Sequence, residues 1–198
     1  LRKVIYSVNP ENGKVISEIP TPGYWPAGLT WDGEALWCSD VKGGIPMSEN
    51  YNGTIYQIDP KNGNILHTVF APAKIAVGLA FDGEYLWCTD PRADKIIRFD
   101  PDDGTTISQY KSPTPDPEGL TFDGRYLWVS DRKRDEIYMV DPDNGMVINI
   151  LDAPGEYVRG LAFDGEYLWA VDDAANKLHK LVASDEEKIK LSDERFAQ

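Results

Sequence analysis

The stretch Gly119-Leu-Thr-Phe-Asp-Gly-Arg-Tyr-Leu-Trp-Val-Ser-Asp131 decides the fold of this chain, because the same phrase recurs along the sequence. Its first six residues have counterparts that begin at Gly28, Gly78 and Gly160, so the four copies start 50, 41 and 41 residues apart. Each copy is followed by Leu-Trp and then by an Asp. Self-similarity at such a period indicates a tandem repeat, in which each copy forms one supersecondary unit.

Each repeat is predicted to contain four short β-strands. The apolar runs are four to seven residues long and end at Asp-Gly, Pro or Asn-Gly, which leaves no room for helices. Asp-Gly pairs such as Asp123-Gly124 predict two-residue type I′ turns between the first and second strands. Segments of the Asp-Pro-x-x-Gly kind, such as 141–145, predict turns between the third and fourth strands.

Four antiparallel strands in a repeat of this length describe one blade of a β-propeller. In the run 126–130 neither alternating set of side chains is polar, so both faces of this strand are expected to lie between neighbouring blades. The tryptophan after each repeated phrase is predicted to belong to this inter-blade core. These residues are Trp37, Trp87, Trp128 and Trp169. The sequence therefore predicts an all-β fold, a β-propeller of four-stranded antiparallel blades.

The repeat also predicts the domain organisation. Residues 1–183 are assigned to the propeller, with blades that begin near 26, 76, 117 and 158, and residues 184–198 to a charged C-terminal tail or linker. Residues 1–23 match only the third and fourth strands of a unit. The prediction is therefore about four blades plus an N-terminal half-blade, or five blades if strands are shared.

How the ring closes stays open at this point. A closed ring needs paired edges, so either upstream sequence is missing, or the half-blade completes a blade elsewhere in the ring or in another chain. The first residue is Leu1 and not Met, which points to a processed form or a piece of a longer protein.

Charge and hydropathy argue against two classes of partner. The chain has 20 Lys and Arg against 33 Asp and Glu, and its net charge of -13 opposes binding to nucleic acid or anionic membrane surfaces. No stretch approaches the roughly 18 consecutive apolar residues of a membrane helix, and no signal-peptide core opens the sequence. We interpret the acidity as a source of solubility, with a basic partner or a cation site as the alternative.

The two cysteines, Cys38 and Cys88, occupy the same position in successive repeats. Repeat-mates on neighbouring sheets lie roughly 10 Å apart, beyond the usual reach of a disulfide. We therefore expect two free, buried thiols, which leave the redox compartment undecided.

The segment from Pro117 to Asp131 resembles the repeats of YVTN, NHL and gluconolactonase-like propellers. The repeat is also similar to those of virginiamycin B lyase and glutaminyl cyclase proteins, and most similar to modules attached to bacterial and archaeal transglutaminase-like proteins. The tail from Asp185 to Arg195 resembles the linker that follows those modules. The resemblance implies a blade architecture and an extracellular or cell-envelope location, but little about activity, because one fold hosts many functions.

Positions that differ between repeats are candidates for a site, because positions identical in every repeat serve the blade. The top face is formed by the loops that enter each first strand and leave each second strand. Just before the repeated Gly stand Ala27, Val77, Glu118 and Arg159, which are expected to surround the channel mouth. Glu118 and Arg159 are predicted either to pair across the channel or to hold a polar ligand.

An insertion of nine residues between Asp40 and Ile55 breaks the repeat on the same face. Loops that depart from a regular scaffold often carry binding, although a tolerated surface loop is an equal alternative. With neighbouring loops the insertion is predicted to form a recognition surface. The residues of this predicted surface are Tyr24, Trp25, Tyr51, Tyr157, Arg132 and Arg134.

An aspartate ends the second strand of every blade, which makes a calcium site conceivable because carboxylates suit that ion. The residues are Asp40, Asp90, Asp131 and Asp172. Because the aspartate recurs in each repeat, we favour hydrogen bonding to the backbone of the following turn, and we expect no cofactor.

Catalytic residues are not apparent in the sequence. His67 and His179 are expected on outer strands, so the histidine of the streptogramin lyases has no counterpart, and no zinc spacing or nucleophile elbow occurs. We expect a non-enzymatic binding or scaffold module that recognises a protein, peptide or glycan, or that forms a homo-oligomer or filament. The alternative is a metal-dependent hydrolase, lyase or cyclase of the gluconolactonase or glutaminyl cyclase type that uses Glu118.

Overall fold

A computed structural model of the chain describes residues 3–41 and 53–182, and these residues form strands and turns with no helix. The strands form antiparallel sheets that pack side by side as a four-blade β-propeller, preceded by a two-stranded N-terminal sheet. The predicted fold class is confirmed. No helix in the described residues is long and apolar enough to cross a membrane.

Each blade runs from its first strand at the centre to its last strand at the periphery. The N-terminal sheet contains β1 (Val4–Val8) and β2 (Val15–Pro20). Blade 1 contains β3 (Pro26–Trp31), β4 (Leu36–Asp40), β5 (Thr54–Ile58) and β6 (Ile65–Phe70). Blade 2 contains β7 (Leu79–Phe81), β8 (Leu86–Asp90), β9 (Lys95–Phe99) and β10 (Thr106–Lys111). Blade 3 contains β11 (Pro117–Phe122), β12 (Leu127–Asp131), β13 (Glu136–Val140) and β14 (Val147–Asp152). Blade 4 contains β15 (Val158–Phe163), β16 (Tyr167–Asp172) and β17 (Lys177–Val182).

The core lies between the blades. One cluster joins Trp37, Ile55 and Val69 of blade 1 to Leu86, Cys88 and Phe99 of blade 2. A second joins Trp87 and Ile96 of blade 2 to Leu127, Tyr138 and Val140 of blade 3. A third joins Trp128 and Ile137 of blade 3 to Val158, Leu168 and Ala170 of blade 4. Burial of apolar side chains on both faces of a sheet is the main favourable contribution to this packing.

Trp169 differs from the other three repeat tryptophans. Trp37, Trp87 and Trp128 are buried, as predicted, whereas Trp169 is only half-buried. The Trp169 side chain lies on one face of blade 4. Within residues 3–41 and 53–182, no sheet covers this face. The prediction that this tryptophan belongs to an inter-blade core is therefore wrong for the described residues.

The turns between first and second strands also differ from the prediction. Trp31 pairs with Leu36, and the Asp32 N–H donates to the Ala35 carbonyl at 3.2 Å, so the residues between this pair are Gly33 and Glu34 and not Asp32 and Gly33. Only Gly33 has positive φ, at 104°, whereas a type I′ turn needs two such residues. The side chain of Asp32 replaces the type I′ backbone geometry, because it accepts N–H groups of the next residues in the turn. The same carboxylate accepts the indole N–H of the blade's tryptophan at 2.7 Å.

The turns between third and fourth strands agree with the prediction. Gly63 adopts a φ of 78° in the left-handed region and donates its N–H to the Asp59 carbonyl at 2.8 Å. Gly104 and Gly145 repeat this conformation in blades 2 and 3. Glycine adopts it without the steric cost that a Cβ atom would bring.

Adjacent blades are also joined by hydrogen bonds near the centre. The Ser39 hydroxyl donates to the Val77 carbonyl at 3.3 Å, and the Thr89 hydroxyl donates to the Glu118 carbonyl at 3.0 Å. A Cβ atom on Gly78 would lie 2.3 Å from that Glu118 carbonyl. The repeated glycine therefore permits the close approach of one first strand to the next.

The N-terminal sheet packs against blade 1, where Ile19 contacts the cluster of Cys38 and Ile58. Both cysteines are free and buried, as predicted. Burial, together with the charge of Asp40, raises the pKa of the Cys38 thiol to about 12. Burial and the charge of Asp90 raise the pKa of Cys88 further, so neither thiol is a reactive nucleophile.

Candidate functional site

The top face lies at the end of each blade where the first strand begins and the second ends. In blade 3, Pro117 pairs with Asp131 at this end, and the equivalent pairs in blades 1 and 4 join Pro26 to Asp40 and Val158 to Asp172. The loops that enter the first strands and leave the second strands therefore meet on one surface. The predicted site residues within the described ranges belong to these loops, to the start of the first strands or to the end of the second strands.

The four repeated aspartates are buried and bound to the backbone of the top-face loops. Asp40 accepts the N–H of Trp25 at 2.8 Å, and Asp90 accepts the N–H of Arg92 at 3.0 Å. Asp131 accepts the N–H of Arg134 at 2.7 Å, and Asp172 accepts the N–H of Ala174 at 2.9 Å. No three His, Cys, Asp or Glu side chains of the described residues are grouped so that they could hold one metal ion. The hydrogen bonds support the capping interpretation, and calcium binding stays an untested prediction.

The aspartate of blade 3 has one acceptor atom, Oδ2, that the equivalent aspartates of blades 1 and 2 use in a hydrogen bond and that it does not. In blade 1 the Asp40 Oδ2 atom accepts the N–H of Tyr24, and in blade 2 the equivalent donor is Lys74, at 3.0 Å. Blade 3 has Pro115 at this position, which carries no N–H. The buried Oδ2 atom of Asp131 accordingly has no hydrogen-bond partner within the described part of the chain.

Glu118 and Arg159 do not pair with each other across the mouth. Glu118 contacts the Arg132 guanidinium at 3.5 Å, and Arg159 contacts Asp173 at 3.2 Å, so each ion pair stays within its own blade. Arg132 also lies 3.7 Å from the Asp116 carboxylate. Burial raises the pKa of Glu118, and the positive charges of Arg132 and Arg159 offset part of that rise.

Three aromatic side chains of the predicted recognition surface are exposed on the top face: Tyr24, Trp25 and Tyr157. Their backbones are held while the side chains face solvent. The Tyr24 and Trp25 N–H groups donate to Asp40, and the Trp25 and Tyr157 carbonyls accept N–H groups from the loops that follow the second strands. Exposed aromatic side chains on a hydrogen-bonded backbone are typical of binding surfaces.

Tyr157 has an unusual backbone conformation. Its φ is 59°, in the left-handed region, which costs an aromatic residue about 1 to 2 kcal/mol. The residues equivalent to Tyr157 by strand register are Trp25 and Asp116, and neither has positive φ. Sequence reasoning missed this feature, because nothing in the residue types around Tyr157 requires it.

The channel mouth on the top face is divided, because the position before the repeated glycine is apolar in blades 1 and 2 and charged in blades 3 and 4. Blades 1 and 2 contribute Ala27 and Val77 to this mouth, while the outer loops of blade 2 also carry the exposed charged residues Lys74 and Arg92. Blades 3 and 4 contribute Asp116, Glu118, Arg132, Arg159 and Asp173. A cavity of about 240 Å³ opens between the first strands, and Ala27, Val77 and Arg159 are among the residues that line it.

The remaining predicted residues lie at the margin of this surface or away from it. Arg134 is exposed in the loop after β12, where its guanidinium donates to the Tyr138 hydroxyl at 3.4 Å. His67 lies on the peripheral strand β6 and His179 on β17. Tyr51 and the insertion at 42–52 lie outside the described residues.

Comparisons with known proteins identify the fold. The chain matches no family model and no curated protein sequence. Virginiamycin B lyase from Staphylococcus aureus is similar in structure, with a TM-score of 0.55 and 23% identity over 92% of this chain and 60% of the lyase. The computationally designed Ika4 protein matches with a TM-score of 0.51 and 12% identity over 84% of this chain and 97% of Ika4. Myxococcus xanthus glutaminyl cyclase matches more weakly, with a TM-score of 0.49 and 13% identity over 81% of this chain and 92% of the cyclase.

At these identities the similarities describe architecture and not activity. The chain spans 60% of the length of the S. aureus lyase. The predicted resemblance to virginiamycin B lyase propellers is confirmed at the level of the fold. The resemblance to YVTN and NHL repeats and to transglutaminase-associated modules stays a prediction. The chain is a β-propeller, and its structural neighbours include enzyme propellers.

Proposed function

We propose that this chain is a non-enzymatic binding module whose top face takes a peptide or protein segment that carries both apolar and charged groups. The observation that carries the proposal is the division of the channel mouth into an apolar side, with Ala27 and Val77, and a charged side, with Glu118 and Arg159. A partner with one kind of group alone would leave half of this surface without complementary contacts.

The pattern of variation between blades supports a binding role for this face. The positions before the repeated glycine hold Ala27, Val77, Glu118 and Arg159, whereas the structural aspartate and tryptophan are present in every blade. A packing role would favour similar residues at equivalent positions, as it does for the tryptophans. The variation is therefore best explained by contacts outside the sheet.

The exposed aromatic residues favour a peptide over a small polar solute. Trp25 is 56% and Tyr157 is 48% exposed. Trp and Tyr are residue types that contribute strongly to the binding energy of protein interfaces. The left-handed backbone of Tyr157 supports the same view, since local strain of this kind is often found at functional positions.

A random peptide library displayed on phage tests this proposal. We expect selection on the whole chain to enrich peptides that contain an aromatic or aliphatic residue and a charged residue. Trp25→Ala or Tyr157→Asn should weaken their binding about tenfold or more, because each removes a central contact. Met146→Ala is the matched control, because Met146 is exposed at the opposite end of the blade. Peptides that bind the Trp25→Ala and wild-type proteins equally would contradict the proposal.

A second candidate function rests on Glu118. A half-buried carboxyl group with a raised pKa at a channel mouth is the kind of group that enzymes use as an acid or base. A hydrolase, lyase or cyclase would then act on this face. Incubation with a lactone, a streptogramin and an N-terminal glutaminyl peptide, with Glu118→Gln as the control, tests it. Equal product from both proteins, or none from either, would remove this candidate.

A further inference from the structure

We propose that two copies of this chain associate head to tail: the outer face of the N-terminal sheet of one copy packs on the uncovered face of blade 4 of the other. This interface borders the cavity at the top face, because Val171 and Leu178 line that cavity together with Ala27 and Arg159, but it does not depend on the proposed binding function. It continues the packing that already joins neighbouring blades within one chain.

The uncovered face of blade 4 has the composition of a buried face. Val171 and Leu178 are each 47% exposed on this face. In blades 2 and 3, the residues at the position of Leu178 are Ile96 and Ile137, which are both 0% exposed because the next blade covers them. Blade 4 therefore presents the kind of apolar surface that the other blades bury.

The N-terminal sheet carries the complementary half of the same contact. Ile5 and Ile19 face blade 1, and because side chains alternate along a strand, Tyr6 and Val8 face the other way. Tyr6 is 48% exposed, and Val8 is exposed as well. The equivalent residues of blade 3 are Tyr138 and Val140, which are buried in the cluster with blade 2, and those of blade 2 are Ile97 and Phe99.

The hydrogen bonds between blades favour a two-stranded partner over a complete blade. In blades 1 and 2, Ser39 and Thr89 donate to a carbonyl beside the first strand of the following blade. Blade 4 has Val171 at this position, which offers no donor. A complete blade would bring a first strand to this point, whereas the sheet β1–β2 contains only the two peripheral strands.

The chain already shows that such a hairpin can pack on a blade. The N-terminal sheet covers the outer part of blade 1 through Ile5 and Ile19, which contact Cys38 and Ile58. Its opposite face would make the equivalent contact with blade 4 of a second copy. Apolar side chains would then meet at the proposed interface, as they do at the interfaces between neighbouring blades of one chain.

Cross-linking between two single-cysteine variants tests the proposed contact. One protein carries Tyr6→Cys and the other carries Leu178→Cys, and the mixture is treated with a short bismaleimide. The native thiols of Cys38 and Cys88 are buried, so they do not compete with the introduced ones. Ile107→Cys replaces Tyr6→Cys in the matched control, because Ile107 is exposed to a similar degree on the peripheral strand β10.

The expected result is a covalent heterodimer from the Tyr6→Cys and Leu178→Cys mixture, at a yield several times that of the Ile107→Cys mixture. Equal yields would overturn the proposal. A homodimer of Leu178→Cys as the main product would also overturn it, because two blade 4 faces would then pair with each other.

Sedimentation equilibrium provides a second readout that does not need a covalent bond. Leu178→Glu should raise the dissociation constant of the wild-type assembly at least about tenfold, because it introduces a charge into an apolar contact. Its circular dichroism should remain that of the wild type, since Leu178 is not part of an inter-blade cluster. A wild-type chain that stays monomeric at every concentration, or a Leu178→Glu variant that associates equally well, would refute the interface while leaving peptide binding at the top face intact.

Discussion

The carboxylate of Asp82 accepts three hydrogen bonds, from the N–H groups of Glu84 and Tyr85 and from the indole of Trp87 at 2.7 Å. It also forms an ion pair with Arg98 at 2.8 Å. Burial by itself would raise the pKa of Asp82, but these interactions together lower it below its ordinary value. The charged form is therefore the one that stabilises the folded blade.

Asp82→Asn should lower the free energy of unfolding by about 1 to 3 kcal/mol at neutral pH, because an amide N–H would face the indole N–H and the guanidinium. The lowered folded pKa sets the pH dependence. The carboxylate's contribution is fully present above pH of about 3.9, the unfolded value, and is lost as the pH falls through the folded value. Denaturant unfolding at several pH values measures this, with the exposed turn residue Asp102→Asn as control. A difference between wild type and Asp82→Asn that persists unchanged under strongly acidic conditions would contradict it.

The substitution Tyr157→Asn distinguishes the effect of the tyrosine on stability from its effect on peptide binding. Asn adopts the left-handed conformation more readily than Tyr, so Tyr157→Asn should leave the free energy of unfolding unchanged or raise it by up to about 1 kcal/mol. Thermal unfolding measures this effect. A loss of several kcal/mol would show that the tyrosine ring supports the blade, and weaker peptide binding by this variant would then be no evidence for a contact.

At the scale of strands and turns, the hydroxyl group at the end of the second strand joins one blade to the next. Thr89 accepts the Gly78 N–H at 2.8 Å and donates to the Glu118 carbonyl at 3.0 Å. Ser130 accepts the Gly119 N–H at 2.9 Å in blade 3. Blade 4 has Val171 at this position, on the face that no described sheet covers.

Thr89→Val should therefore lower the free energy of unfolding by about 1 to 3 kcal/mol, because it keeps the side-chain shape and leaves two buried polar groups without this partner. Val171→Thr provides the matched control and should change stability by less than about 0.5 kcal/mol. Urea unfolding of both variants makes the comparison. Equal effects of the two substitutions would show that the hydroxyl group does not link the blades.

The sequence predicts the strands better than the turns between them. The repeated phrase and the Asp-Pro-x-x-Gly segments mark the strands and the left-handed glycine at positions such as Gly63, because both depend on local residue preferences. The first turn of each blade is predicted wrongly as type I′, since the hydrogen bonds of the Asp32 side chain decide its geometry.

At the scale of the whole molecule, the repeat is sufficient to predict how the blades pack, but not where the packing ends. Trp37, Trp87 and Trp128 are buried as predicted, whereas Trp169 shares their sequence context and is half-buried. Glu118 and Arg159 also differ from one of the predicted arrangements, because each forms an ion pair within its own blade, with Arg132 and Asp173, and not with the other across the channel. Equivalent positions in a repeat share a backbone location, but their neighbours depend on the assembled molecule.

A crystal structure of the chain tests the central claim most directly, namely that the sheets pack face to face round one axis and bring the variable loops to one face. We predict that the Thr89 hydroxyl lies about 3.0 Å from the Glu118 carbonyl oxygen of the next blade, with Trp87 buried between the two sheets. We also predict that Trp25 and Tyr157 are exposed at the same end of the molecule as Glu118 and Arg159. Two sheets layered as a sandwich, with the first strands of the four repeats far from a common axis, would contradict the account.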